Sequence, residues 1–282
     1  MWHSKHIFIH DFGLIERFLC DHLRELTEQI PPDEWFFIRY WQGGPHIRLR
    51  YRFAEEERKA AFDRLLENTL KTFEQSHGGH DFRPVDYDPR IVRLEGVDDL
   101  GIHPNFSIRD IPYVPELDRY GGEAAMPHSE ALFFRSSVTA ASIIGSVEWP
   151  KRYVAAFDLM QYSFEIAAAL GMAESEEAFF SDYRRVWDAF ETDERQEAVR
   201  EALARRMDRN RERAEIPAVY RSYLDELQRL MKQILDHQNT FPPGTVHYLM
   251  VSHIHMMNNR LGLSPENERF LSGIFLGRRA AV

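Results

Sequence analysis

The chain has 282 residues, 44% hydrophobic and 13% aromatic, enough for one large core or two closely joined domains. That composition excludes an intrinsically disordered chain, and no apolar run approaches the ~20 residues of a membrane span. A formal net charge of −10 excludes broad nonspecific nucleic-acid binding, so a row of cations in this chain marks a local concentration of charge.

The N-terminus, Met1 to His6, lacks the charged, apolar and small-residue order of a signal peptide, and the cytoplasm is the expected compartment. Residues 3–10 read as a strand. Residues 12–29 show helical spacing through Phe12, Ile15, Leu19, Leu23 and Leu26, and Pro31-Pro32 ends the helix. Cys20, the only cysteine, lies beside that stripe and reads as a buried, inert thiol. Residues 35–40 are apolar on both faces and predict a central strand. Gln42-Gly43-Gly44-Pro45 is a turn.

The next run, His46-Ile47-Arg48-Leu49-Arg50-Tyr51-Arg52-Phe53, alternates strictly. As a strand it puts His46, Arg48, Arg50 and Arg52 on one face and the apolar residues on the other. Guanidiniums spaced about 6–7 Å apart repel one another. Either water screens them, acidic side chains neutralise them, or they bind a carboxylate or phosphate. Residues 55–75 form an amphipathic helix with acids in its first turn, broken by His77-Gly78-Gly79-His80. This β-α-β-β-α order predicts an α+β fold: a mixed N-terminal sheet with flanking helices, followed by a largely helical C-terminal half.

Residues 82–120 are Pro-rich, with strand candidates at 90–95 and 108–114. Predicted helices follow at 127–147, 150–171, 176–191, 193–213, 216–238, 244–262 and 264–276. Ser175 is an expected N-cap, and Ser264-Pro265 puts proline at a first helical position. The charge run 194–213 reads as a solvated helix face. The composition shift near 120 divides the chain into a sheet layer (1–120) and a helical region (121–282) packed on it.

Three further segments hold chemistry-bearing residues. In Tyr113 to Gly122, Glu116 and Arg119 stand three apart and can pair across one helical turn. In Ser252 to Arg260, His255 and Asn259 are i,i+4 neighbours and His253 points elsewhere, while Phe241-Pro242-Pro243-Gly244 leads into that helix. A His-Glu-x-x-His metal motif is absent, and histidine is the usual proton-transfer residue near neutral pH. A core or capping histidine is the competing reading. Glu130 to Val138 has no nucleophile elbow and reads as a buried helix. No P-loop or dinucleotide fingerprint is present.

Taken together, these segments resemble the C-terminal, SpaB-type domain of class I lantibiotic dehydratases, also called the thiopeptide-type bacteriocin biosynthesis domain. Trp35 to Tyr40 through His46 to Arg50, the Glu116-x-x-Arg119-Tyr120-Gly121-Gly122 core, and His255-Met256-x-x-Asn259-Arg260 carry the likeness in order. The resemblance implies an antibiotic-biosynthesis lyase without metal or cofactor. It would eliminate glutamate from glutamylated Ser or Thr of a precursor peptide, giving dehydroalanine or dehydrobutyrine. Arg48 and Arg50 would clamp the glutamyl group, with Glu116 and Arg119 in the same pocket and His255 handling the proton. Arg39, His46, Tyr120 and Asn259 would contact substrate. The large N-terminal glutamylation domain of the family is missing, which implies a separate tRNA-dependent glutamylating subunit. The turn before His46 also lacks an acid that many relatives carry. Free-standing members include thiopeptide pyridine synthases, which join two dehydroalanines by a formal [4+2] cycloaddition and expel the leader peptide. A non-catalytic leader-peptide-binding partner is the third reading. The precursor peptide is the expected partner, with strand addition a known mode of recognition and a homodimer an expectation from relatives.

Overall fold

The computed structural model describes residues 1–83, 85–98, 100–191, 196–213, 215–236 and 245–277. The chain divides into two compact units: 1–115 with 140–146, and 116–139 with 147–282.

In the first unit, strand β1 (His3–Phe8) leads to helix α1 (Phe12–Phe18), whose N-cap Asp11 accepts from the Leu14 amide at 2.8 Å. A π-helical turn (Leu19–Leu23) joins it to α2 (Arg24–Gln29). Strands β2 (Glu34–Tyr40) and β3 (His46–Arg52) form a hairpin, followed by α3 (Glu56–His77), α4 (Pro89–Glu95) and β4 (Ser107–Asp110). The sheet runs β2-β3-β1-β4, antiparallel at every pairing rather than mixed. The α+β class and the helical C-terminal half are as expected.

Strand β2 is an edge strand, not a central one. Its two apolar faces reflect cover from above and below. Phe36 meets Trp2 at 4.8 Å and Tyr113 at 5.6 Å on one side, and Phe37 is fully buried on the other. Residues 89–95 form a helix rather than a strand: Asp88 caps it, Pro89 occupies the first turn, and Gly96 leaves it in the left-handed conformation. The face of β3 opposite the arginines packs on helices. Tyr51 lies 4.7 Å from the Phe62 ring of α3, and its hydroxyl donates to Asp63. Each such buried apolar side chain contributes about 1.5–3 kcal/mol. Cys20 sits in the π-helical turn, half-buried beside Glu16 and the Ile144 carbonyl.

In the second unit, α5 (Gly122–Ile144) contributes its residues up to Thr139, joined by α6 (Trp149–Ala169), α7 (Glu176–Arg185) and α8 (Glu197–Glu212). Helices α9 (Ala218–Asp236), α10 (Thr245–Leu261) and α11 (Pro265–Leu276) complete it. Ser175 caps α7, accepting from the Ala178 amide at 3.0 Å, and Ser264 caps α11 in a capping box with Asn267. Stacked rings of Phe157, Phe275 and Phe180 mark the core between α6, α11 and α7. Helix α8 is not solvated all round: Leu203, Met207 and Asn210 are buried, and Arg206 reaches the fully buried Asp158. The expected starts of helices 193–213 and 244–262, and the segment 241–244, lie outside the described residues.

No helix among the described residues is long and apolar enough to cross a membrane.

Candidate functional site

The register of β3 fixes which side chains share its polar face. Opposite Arg48 stand His6 on β1 and Ile38 on β2; opposite Arg50 stand Ser4 and Phe36. None of these is acidic. Arg52 stands opposite Glu34, forms an ion pair with it, and lies over the Trp2 ring. Arg52 is thus tied to an acid across the strands.

Part of this face is closed to solvent. His46 is fully buried and Arg50 is only 7% exposed. The Arg48 guanidinium lies 3.3 Å from the Tyr40 ring centroid, and Arg50 lies between Phe36 at 5.7 Å and Tyr113 at 5.4 Å. A cation–π contact is worth about 0.5–1 kcal/mol at an exposed site and about 2 kcal/mol when desolvated, as it is at Arg50. Tyr40 is held in turn by a hydrogen bond to Glu95, which also accepts from Trp41 Nε1 at 3.1 Å.

His46 organises Arg48. Its Nδ1 donates to the Gly44 carbonyl at 2.8 Å, so Nε2 carries the lone pair that accepts from Arg48 Nε at 3.2 Å. His6 stacks on His46 with ring centres 4.8 Å apart. Burial, then the neighbouring arginines, push His46 down to about 3, while burial and His46 push His6 down to about 2. Both rings are neutral at physiological pH, so they add no charge to the arginine face. Gly44, at φ +102°, brings the hairpin turn against His10: a Cβ there would stand 2.5 Å from the ring.

Arg39 projects from the other face of the sheet, in register with Ile47, and pairs with Glu16 at 2.6 Å. It does not share the face of Arg48 and Arg50.

In the second unit, Glu116 and Arg119 pair across one turn at 3.3 Å, and Arg119 Nε reaches Ser252 Oγ of α10 at 3.4 Å. Gly121 and Gly122, both with φ near +80°, redirect the chain into α5. Tyr120 is 2% exposed, with its ring against Phe133 at 4.8 Å and His253 at 5.2 Å. It belongs to the helical core. His253 is equally enclosed, with Nε2 3.3 Å from Ser129 Oγ, and burial pushes it down to about 3. Asn259 is half-buried, one turn beyond His255 on α10.

His255 has a different environment. Its Nδ1 lies 2.9 Å from Glu268 Oε1, and its ring packs on Trp187 at 4.8 Å. Glu268 is fully buried. It also accepts from Asn258 Nδ2 at 3.2 Å and from the Tyr183 hydroxyl. Burial and the adjacent carboxylate hold the Tyr183 phenol well above its ordinary value, so it remains a donor. Among the described residues no group of three His, Cys, Asp or Glu side chains is arranged to hold a metal ion.

The model of the lantibiotic biosynthesis dehydratase C-terminal family matches residues 2–280. The chain belongs to the lantibiotic dehydratase C-terminal family. Among solved structures it resembles the tRNA-dependent lantibiotic dehydratase MibB from Microbispora sp. 107891 (TM-score 0.63, 20% identity), covering 98% of this chain and 27% of that one. It resembles the pyridine synthase TbtD from thiomuracin biosynthesis equally well (TM-score 0.65, 19% identity, 98% and 96% covered). TsrL is similar too (TM-score 0.66, 15% identity, 98% and 93% covered). No curated protein sequence matches. At these identities the structural likeness establishes the shared fold.

Sequence reasoning missed Glu268. Its only local signal was a place in the first turn of α11, where an acid is expected on helix-dipole grounds alone. The residues it joins, Tyr183, His255 and Asn258, are brought to it from two other helices.

Proposed function

We propose that this chain eliminates glutamate from glutamylated Ser or Thr residues of a precursor peptide. The observation that carries the reading is the placing of Arg48 and the buried Arg50 side by side on one sheet face, each against aromatic rings. Two guanidiniums held beside aromatic surface, one of them braced by the neutral His46, suit the recognition of a carboxylate.

In the proposed reaction a base takes the α-proton of the esterified residue. The electron pair forms the Cα–Cβ double bond, the Cβ–O bond breaks, and glutamate leaves with a second carboxylate. Arg48 and Arg50 face charge that grows on the leaving oxygens, and a well-placed donor of this kind contributes about 3 kcal/mol to the transition state. His255 transfers the proton, an effect typically worth about 10²–10⁴-fold. Glu116 and Arg119 bind the glutamyl group. The partner is the precursor peptide, esterified beforehand with glutamate from glutamyl-tRNA.

Pyridine formation from two dehydroalanines is the second reading, supported by the similarity to TbtD over nearly its whole length. One pair of assays separates them. A glutamylated peptide incubated with the pure chain should lose glutamate and gain dehydroalanine by mass spectrometry, and His255→Ala should leave it glutamylated. A peptide already carrying dehydroalanines should emerge unchanged. Release of a macrocycle and free leader from that second peptide, with the first untouched, would overturn the elimination reading.

A further inference from the structure

We infer that Glu268 is the positioning residue of a carboxylate–histidine pair that fixes the tautomer of His255. The inference rests on the proposal that His255 transfers the proton.

A carboxylate enclosed by protein persists only when its oxygens are hydrogen-bonded. Glu268 meets that condition with three donors. Tyr183 comes from α7, Asn258 and His255 come from α10, and Glu268 itself is on α11. The amide and the phenol can only donate here, because the oxygens they face belong to a carboxylate. His255 must do the same through Nδ1–H, which leaves the lone pair on Nε2. Trp187, 94% buried, lies against the imidazole and limits its rotation.

A network with a purely architectural role would close on itself. This one has an open end. Glu268 is fully buried and Asn258 is 1% exposed, whereas the His255 side chain is 21% exposed. His255 is the member through which the buried carboxylate can influence a group outside the core. His253 supplies the contrast on the same helix: it is neutral, enclosed, and hydrogen-bonded to a serine rather than an acid. The same division of labour orients the imidazole in hydrolytic triads, where replacing the acid by its amide lowers kcat about 10⁴-fold through the wrong tautomer.

The test uses the full chain labelled with ¹⁵N-histidine, with the His255 signals assigned by their loss in His255→Gln. Wild type is expected to show His255 as the Nδ1–H tautomer, with a protected imidazole N–H proton. Glu268→Gln should lose that signature and lower kcat for elimination by about 10²–10⁴-fold with KM changed less than threefold. Glu268→Asp should retain the tautomer and recover part of kcat. An Nε2–H tautomer in wild type would overturn the pair without any variant being needed, should Glu268→Gln fail to fold. An unchanged tautomer and rate in Glu268→Gln would overturn it too. If the wild-type chain releases no glutamate, the elimination reading fails alone, and the tautomer spectra still decide the Glu268–His255 pair.

Discussion

Arg48 Nε donates to His46 Nε2 at 3.2 Å, and both side chains rise from the same face of β3, two residues apart. The imidazole is itself fixed by the Gly44 carbonyl of the hairpin turn. The turn therefore sets the direction in which the guanidinium points, through a neutral ring that adds no competing charge. His46→Ala removes that brace and opens a cavity between Phe8 and His6. We expect kcat/KM on a glutamylated peptide to fall about 10–100-fold, in keeping with misplacement of one charged donor. Equal kinetics in wild type and variant would show that Arg48 is held by other contacts.

Three histidines are buried in the neutral form, and this makes stability depend on pH. His6 is lowered to about 2, and His46 and His253 to about 3, all chiefly by burial. Between those values and the ordinary ~6.5, the unfolded chain holds protons that the folded chain does not. Stability is complete above pH ~6.5 and falls as the pH drops toward 3, by up to about 1.4 kcal/mol per unit for each ring. Urea unfolding at pH 7, 6 and 5 should show the decline. His253→Gln keeps a neutral hydrogen-bonding group in the same place and should reduce the slope by roughly one proton. An identical slope in the variant would count against His253 as a source.

The family resemblance implies a substrate contact for Arg39, whose side chain pairs with Glu16 on the sheet face opposite Arg48, the two side chains 10% and 23% exposed. We expect Arg39→Met to lower stability by about 1–3 kcal/mol, because the Glu16 carboxylate loses a charged partner at 2.6 Å. The folded variant should keep kcat/KM within threefold. A larger kinetic loss at full stability would return Arg39 to the binding residues.

Asp158 is the electrostatic anchor of the helical unit. It is fully buried and accepts two bonds of 2.6 Å from Arg206, one of 2.8 Å from Asn210 and one of 3.1 Å from Tyr220. Asp158→Ala strands a guanidinium and two polar groups, and we expect a loss of about 3–5 kcal/mol. Asp158→Asn should cost less, since it still accepts one bond. Thermal and urea unfolding would measure both, and a loss below ~1 kcal/mol for the alanine variant would show that water replaces the carboxylate.

Local rules made much of the fold legible. Ser175 and Ser264 cap the helices they precede, and period-3.6 burial on α9 follows from Tyr220, Tyr223, Leu227 and Ile234. The errors came where one pattern serves two structures. Residues 90–95 alternate weakly and suggested a strand. The decisive signal was the Asp88-Pro89 start and the Gly96 stop, which favour one helical turn after another. An apolar strand such as β2 suggested a central position, yet an edge strand covered on both faces has the same composition.

The sequence by itself determined that His46, Arg48, Arg50 and Arg52 share a face, because strand periodicity needs no partner to operate. It also determined the Glu116–Arg119 pairing, which one turn of backbone suffices to make. Only the tertiary structure decided that His46 and Arg50 of that face are buried, that Arg52 belongs to Glu34 and Arg39 to Glu16, and that His255 rests on Glu268. The physical reason is that desolvation and long-range hydrogen bonds depend on what other elements bring to a residue. The 72 positions separating Tyr183 from His255 carry no spacing rule that could place both on one carboxylate.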